Sequence, residues 1–276
     1  MSIVLPNFSY HRPVTLSDAL ALHGGSDDAM FIAGGHTLLP VMKAGLAAPD
    51  TLIDLRAIPD LQGIDIADGL LRIGGGATHV AVSKSETVRT AIPVLAALAG
   101  SIGDVQVRNR GTIGGSVANN DPAADYPSAV LALDATVVTD RRSIAAGDYF
   151  TGLYATALEP GEIVTALTFP IPASAGYAKF RNPASRYAMA AVFVSRLGDG
   201  SIRVAVTGAG NEGVFRWAEA EEALARDFSA QALDGAALDP DSLIGDIHAS
   251  TAYRANLVRV MARRAVQNQG KASIFS

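Results

Sequence analysis

The sequence predicts an α+β fold laid out in three consecutive segments, and three observations carry that reading. Residues 1–57 alternate apolar runs with helical stretches in a β–α–β rhythm, as a small α/β lobe does. A second segment, 58–172, starts afresh with short apolar runs on either side of Ala67-Asp68-Gly69, a hairpin signature. A third, 173–276, follows the linker-like Pro170-Ile171-Pro172-Ala173-Ser174-Ala175-Gly176 and combines apolar strands with helices.

Each element follows from local chemistry. Phe8 to Pro13 reads as an extended opening closed by proline. Thr15 to Leu22 reads as a short helix, capped by Thr15 or Ser17 and stopped by Gly24-Gly25. Ala29-Met30-Phe31-Ile32-Ala33 predicts a buried strand running straight into Gly34-Gly35. A helix is expected from Leu38 to Ala44, and Thr51 to Leu55 is a further strand. Leu61–Ile66 and Leu70–Ile73 form the hairpin, Gly74-Gly75-Gly76 leaves it, and helix follows from Val80 and again over Pro93–Leu98. Ala135–Thr139 and Ile163–Phe169 are strands of the second segment. In the third, Tyr187–Leu197 and Ile202–Thr207 are strands joined by Gly198-Asp199-Gly200. Glu219–Arg226 and Thr251–Gln267 are helices, the latter with Leu257, Val258, Met261, Ala262 and Ala265 at helical spacing.

Composition narrows the function classes. Hydrophobic residues make up 49% of the 276 and charged residues 18%, enough apolar material for a substantial core. The net charge of −5 argues against a nucleic-acid platform, which demands clustered Lys and Arg. There is no cysteine, so disulfides, thiolate zinc sites, cysteine nucleophiles and cysteine-ligated clusters are excluded from this chain. A cysteine-free chain fits a cytoplasmic location. Met1 to Pro6 lacks the basic start and apolar middle of a signal peptide, and no apolar run is long enough to span a bilayer.

The stretch that organises the chain runs from Arg110 to Asp125: RGTIGGSVANNDPAAD. Its glycines make it a poor core strand, and let backbone N–H groups approach something large and electron-rich. A second loop, Ala33-Gly34-Gly35-His36-Thr37-Leu38-Leu39-Pro40, lies about eighty residues earlier and has neither a P-loop ending nor the third glycine of a Rossmann fingerprint. Alone, a strand–Gly–Gly–helix is usually just a tight turn. Two such loops can share a pyrophosphate through amides and helix N-termini without a basic residue, which suits an acidic protein.

Other residues are weighed against plainer roles. His36 reads as a loop histidine donating to the ligand rather than as an acid–base or metal group, since His11, His23, His79 and His248 are scattered. Asp121 reads as a turn residue beside Pro122, and Asp125 as an acceptor for ribose or adenine groups. Tyr187 is either a stacking ring or a core aromatic at a strand start. Arg108 and Arg110 are solvated or paired, and Trp217 is packing.

The paired glycine motifs, Ala33–Pro40 and Thr112–Gly115 with the trailing Asp121-Pro122-Ala123-Ala124-Asp125, resemble those of the FAD-binding medium subunit of molybdenum hydroxylases. The likeness is to the carbon monoxide dehydrogenase medium chain and the xanthine dehydrogenase FAD subunit, and Phe180 to Ala188 resembles the family's entry into its C-terminal domain. The resemblance implies two small α/β lobes forming a PCMH-type FAD-binding domain, then a C-terminal α+β domain with a small antiparallel sheet and helices. It places the pyrophosphate on Ile32, Ala33, Gly34, Gly35, His36, Thr37, Leu38 and Leu39 and on Thr112, Gly114, Gly115 and Ser116. It sets Ala77 and Ile102 beside the cofactor and Asp125 on the adenosine half. Val164 and Lys179 fall at further flavin contacts, with Lys179 near the pyrimidine end and Tyr187 near the isoalloxazine.

The resemblance also implies partners: a large subunit with a molybdenum cofactor and a small one with two [2Fe–2S] clusters, assembled as a dimer of heterotrimers. This chain would then be an oxidoreductase subunit carrying FAD, passing electrons from the clusters to an external acceptor with no catalytic residue or metal of its own. The alternatives are a stand-alone FAD-dependent oxidase of related fold and a non-catalytic nucleotide-binding interaction protein. The branch with an additional cluster in this subunit is excluded by the missing cysteines.

Overall fold

A computed structural model describes Leu5 and residues 7–269. The reading of Met1 to Pro6 therefore lies almost wholly outside the described residues, and no described helix is long and apolar enough to cross a membrane.

The chain opens with a parallel three-stranded sheet. β1 (Ser9–His11), β2 (Ala29–Ile32) and β3 (Thr51–Asp54) stand in the order β1-β3-β2. Parallel neighbours need crossover connections, which α1 (Leu16–Gly24) and α2 (Leu38–Lys43) supply. Thr15 caps α1 by accepting from the Asp18 amide at 3.1 Å, as its side-chain type predicts. β2 departs from expectation. It is an edge strand whose residues are exposed or only partly covered: Ala29 and Phe31 pack on the small core of the first sheet, and the strand borders a cavity.

A five-stranded antiparallel sheet follows, in the order β4-β5-β10-β6-β7. Its strands are β4 (Ile64–Ala67), β5 (Leu70–Gly74), β6 (Thr136–Thr139), β7 (Ser143–Ala145) and β10 (Val164–Pro170). The β4–β5 turn puts Asp68 and Gly69 at φ +52° and +77°, the left-handed pair that a two-residue hairpin requires. Between β5 and β6 run six helices: α3 (His79–Lys84), α4 (Glu86–Ala91), α5 (Pro93–Ser101), α6 (Val105–Arg110), α7 (Ile113–Asn119) and α8 (Tyr126–Ala132). A short helix α9 (Ala146–Tyr149) and a small hairpin of β8 (Phe150–Gly152) and β9 (Ala155–Thr156) precede β10.

The last sheet is antiparallel, ordered β11 (Ser174–Arg181), β12 (Ala188–Arg196), β13 (Ile202–Thr207) and β14 (Phe215–Arg216). Strand β11 replaces much of the expected linker, leaving only Ile171 to Ala173 between it and β10. Its Pro/Ser/Ala/Gly start conceals a strand because Gly176 lies under a helix: a Cβ there would fall 2.0 Å from the Ala265 carbonyl oxygen of α11 (Thr251–Gln267). One face of this sheet, through Tyr177 and Phe193, joins the core of the second segment. The other face packs on α10 (Ala218–Arg226) and α11. Trp217 is buried there with its Nε1 donating to the Ala237 carbonyl at 2.6 Å, the packing role expected of it.

Glycine density in the organising stretch yields a helix where a loop is expected. Thr112 caps α7 by accepting from the Gly115 amide at 3.1 Å, and Asn120 closes it in the left-handed region at φ +44°. Gly114 sits where α7 crosses the chain leaving β5, donating to the Gly75 carbonyl at 2.9 Å. A Cβ at Gly114 would lie 2.6 Å from that same oxygen, and one at Gly75 would lie 2.2 Å from the Val164 carbonyl oxygen. Gly114→Ala is therefore expected to lower stability by about 1–3 kcal/mol, the usual cost of overpacking, read as a lower Tm. Gly24→Ala, whose new Cβ meets nothing within 4 Å, is expected to leave Tm unchanged.

A buried carboxylate ties the sheet to the segment before β10. Glu162 accepts from Thr139 Oγ1 at 2.7 Å, from Arg142 Nε and Nη2 at 3.0 Å, and from the Glu159 amide at 2.7 Å. The Arg142 hydrogen bonds lead the effects that hold its pKa down at about 2, against the opposing effect of burial. A depressed folded-state pKa means stability present above the ordinary glutamate range and lost as pH falls toward 2. In Tm measured against pH, Glu162→Gln is expected to lie below wild type at pH 7, with the gap closing between about pH 4.5 and 2.

Candidate functional site

A cavity of about 900 Å³ opens where the two first sheets and the β11–β12 hairpin face one another. That is the upper part of the range usual for small-molecule and cofactor sites, roughly 300–1,000 Å³. Its first wall is the loop from β2 into α2. Gly35 takes φ +74°, which turns the chain so that successive amides face the same way. The backbone N–H groups of Gly34, Gly35, His36, Thr37 and Leu38 find no acceptor among the described residues. Five unclaimed donors on a cavity wall need an anion or water as partner.

The opposite motif plays another part. The four leading amides of α7 are already engaged: Ile113 with the Ala77 carbonyl, Gly114 with Gly75, Gly115 with Thr112 Oγ1 and Ser116 with the Thr112 carbonyl. The two motifs do meet. A Cβ at Gly34 would fall 2.5 Å from the Arg110 carbonyl oxygen and 2.7 Å from Gly111 Cα, and one at Gly115 would lie 4.0 Å from Ala33 Cβ. So Gly34 and Gly114, which line the cavity, also serve close backbone packing, and a side chain at Gly114 would first meet the Gly75 backbone. Gly35 remains as the glycine that shapes the amide cradle.

The far wall holds a buried ion pair. Asp125, between α7 and α8, and Lys179, on β11, are both almost fully buried, and the ammonium lies 2.8 and 2.9 Å from the two carboxylate oxygens. Tyr177 also donates to Asp125. Asp125 and Lys179 are thus one unit and cannot sit at opposite ends of an extended cofactor, as assigning one to adenosine and the other to flavin requires. Tyr187, 51% exposed, stands at the foot of the hairpin beside this pair. It borders the cavity rather than the core.

Of the residues expected at the site, Ile32 to Leu38, Ile102, Thr112, Gly114, Gly115, Ser116, Asp125, Val164, Lys179 and Tyr187 all line the cavity. Leu39 and Ala77 do not. Leu39 turns back against Gly35 and Ile32, and Ala77 is buried in the core, where its carbonyl receives the Ile113 amide. Asp121 makes the expected turn, accepting from the Ala123 amide at 2.8 Å. It also reaches the cavity, where burial raises its pKa.

Of the many lining residues that escape sequence reasoning, three carry buried or ion-paired titratable groups. His79, at the start of α3, donates its amide to the Gly111 carbonyl at 2.9 Å and packs its ring on Tyr126 at 5.4 Å between centroids. Burial pushes its pKa down to about 4, so the ring is neutral at neutral pH, and its Nδ1 lacks a hydrogen-bond partner among the described residues. Arg56 borders the cavity from lobe one, with its Nε 2.9 Å from Asp54 Oδ1. Burial works to raise the Asp54 pKa, but hydrogen bonds from Arg56 and Tyr10 overcome it and hold the carboxyl below its usual value. Glu162 is the third. The only sequence signal for His79 is its place after Gly74-Gly75-Gly76, and Arg56 and Glu162 carry none.

The amide cradle, the size of the cavity and the unpartnered His79 nitrogen together fit a large ligand bearing an anionic group. Residues 6–172 match the family described as the FAD binding domain in molybdopterin dehydrogenase. The chain is 37% identical to the nicotine 6-hydroxylase medium subunit of Paenarthrobacter nicotinovorans, covering 96% of this chain and 98% of that one. It is likewise 37% identical to the carbon monoxide dehydrogenase medium chain of Afipia carboxidovorans, over 95% and 96% of the two. Among solved structures it superimposes on Cu,Mo-CO dehydrogenase with a TM-score of 0.87 at 36% identity, covering 96% of this chain and 98% of that one. The chain belongs to the FAD-binding domain family of molybdopterin dehydrogenases, as an FAD-binding medium subunit of a molybdenum-containing oxidoreductase.

Proposed function

We propose that this chain carries an extended FAD across the cavity and relays electrons through it to an external acceptor. The observation that carries the reading is the run of unclaimed amides from Gly34 to Leu38 on the wall of a cavity large enough for a dinucleotide. The diphosphate lies over those amides, bound by backbone dipoles instead of a lysine or arginine. Phe31, Ile32 and Val41 flank the adenosine side, while Ile102, Val164, Lys179, Asp125 and Tyr187 flank the flavin. FAD supplies the conversion between two-electron and one-electron transfer, and the protein supplies binding, orientation and electrostatics.

In this reading substrate is oxidised at a molybdenum cofactor on a large partner subunit, and electrons arrive through two [2Fe–2S] clusters on a small one. The assembly is a dimer of heterotrimers. Residues 1–57 and 58–172 act as the two lobes of the cofactor domain, and 173–276 closes the flavin side. The near full-length likeness to proteins named as medium subunits supports a partner-dependent role over a stand-alone oxidase.

The test is to purify the chain with whatever co-purifies, denature it and separate the released flavin. One FAD per chain and two co-purifying polypeptides are expected; a colourless, partner-free protein defeats the reading. Gly35→Val is expected to cut FAD content at least tenfold, because a β-branched residue at positive φ distorts the cradle while Gly35 touches no backbone of another segment. Full FAD occupancy in that variant would move the diphosphate elsewhere.

A further inference from the structure

The Asp125–Lys179 pair has a third member. Tyr177 and Lys179 are two residues apart on β11, so their side chains share one face of the sheet. That face meets the segment between α7 and α8, where Asp125 receives both donors. Tyr177 is fully buried and does not line the cavity, whereas Asp125 and Lys179 do. Burial and the neighbouring carboxylate raise the Tyr177 pKa, so the phenol stays protonated and keeps its proton to donate. Asp125 therefore divides its negative charge between the buried ammonium of a residue that lines the cavity and a neutral phenol.

We propose that Tyr177 is a positioning residue for the flavin: by donating to Asp125, whose two oxygens lie 2.8 and 2.9 Å from the ammonium, it takes up part of the carboxylate's charge and leaves Lys179 less fully neutralised beside the cavity. The proposal rests on the flavin placement given above. An oxidised flavin that takes up two electrons and one proton gains one negative charge. A cation beside it stabilises that charge, more strongly in a site shielded from water than outside it. A hydrogen bond to an ionised carboxylate is roughly twice as strong as a neutral one, so a buried phenol is a substantial competitor for Asp125. A bond that merely ties β11 to α8 has no such consequence for the flavin, and that difference makes the idea testable.

The experiment is a redox titration of the purified complex, followed through its flavin bands, for wild type and three variants. Tyr177→Phe removes one oxygen and is expected to make the flavin harder to reduce. The expected effect is about a tenfold shift in the oxidised-to-reduced ratio at fixed potential, ~30 mV for a two-electron couple. Lys179→Met is expected to shift it further in the same direction, and Asp125→Asn in the opposite one. A flavin-loaded Tyr177→Phe protein whose titration overlays wild type overturns the inference and leaves the FAD assignment standing. A wild-type complex that releases no flavin overturns both. Should Asp125→Asn not fold, the shift of Tyr177→Phe against wild type, in the same direction as Lys179→Met, still decides the matter.

Discussion

Close approach of bare backbone is the constraint on which the rest of this structure depends. Segments around Gly34, Gly75 and Gly114 meet other stretches of backbone with peptide groups in contact, and at each a methyl group would fall within 2.2 to 2.7 Å of the neighbouring segment. Only hydrogen fits there. The crossings lock the first sheet against the second and fix the start of α7. The loop after β2 takes part through Gly34, yet its amides from Gly34 to Leu38 have no acceptor among the described residues.

The cavity handles charge in a consistent way. Lys179 is matched by Asp125, Arg56 by Asp54, and Arg142 by Glu162. These three cations near the wall are each held by a carboxylate, and His79 is held neutral by burial. An anionic ligand therefore meets backbone amides and ion pairs more than a cluster of basic side chains. This reconciles a net charge of −5 with affinity for a diphosphate, since backbone dipoles add nothing to the formal charge.

The last sheet is more than an appended domain. Its first strand follows β10 after three residues, its inner face completes the core of the second segment, and its hairpin edges the cavity with Tyr187. Because Lys179 comes from this sheet and Asp125 from the helical segment, their ion pair spans the seam between the two. Any change in how the sheet seats on the rest of the chain alters the charge that the cavity sees.

Read by itself, the sequence settled what depends on neighbours along the chain. The β–α–β opening, the Asp68-Gly69 hairpin, the Thr15 cap, the apolar strands of the last sheet and the period of α11 are all short-range patterns, and all are present. The paired glycine motifs and the composition of their flanks pointed to residues that line one cavity. The sequence left undetermined whatever depends on which segments meet. Nothing local says that Gly34 packs on Arg110 while Gly35 shapes a cradle, that Gly176 begins a strand beneath α11, or that Asp125 belongs to Lys179. Those facts arise from contacts between residues far apart in the chain. A glycine's neighbour, a carboxylate's partner and a strand's exposed side are decided only when the segments are brought together.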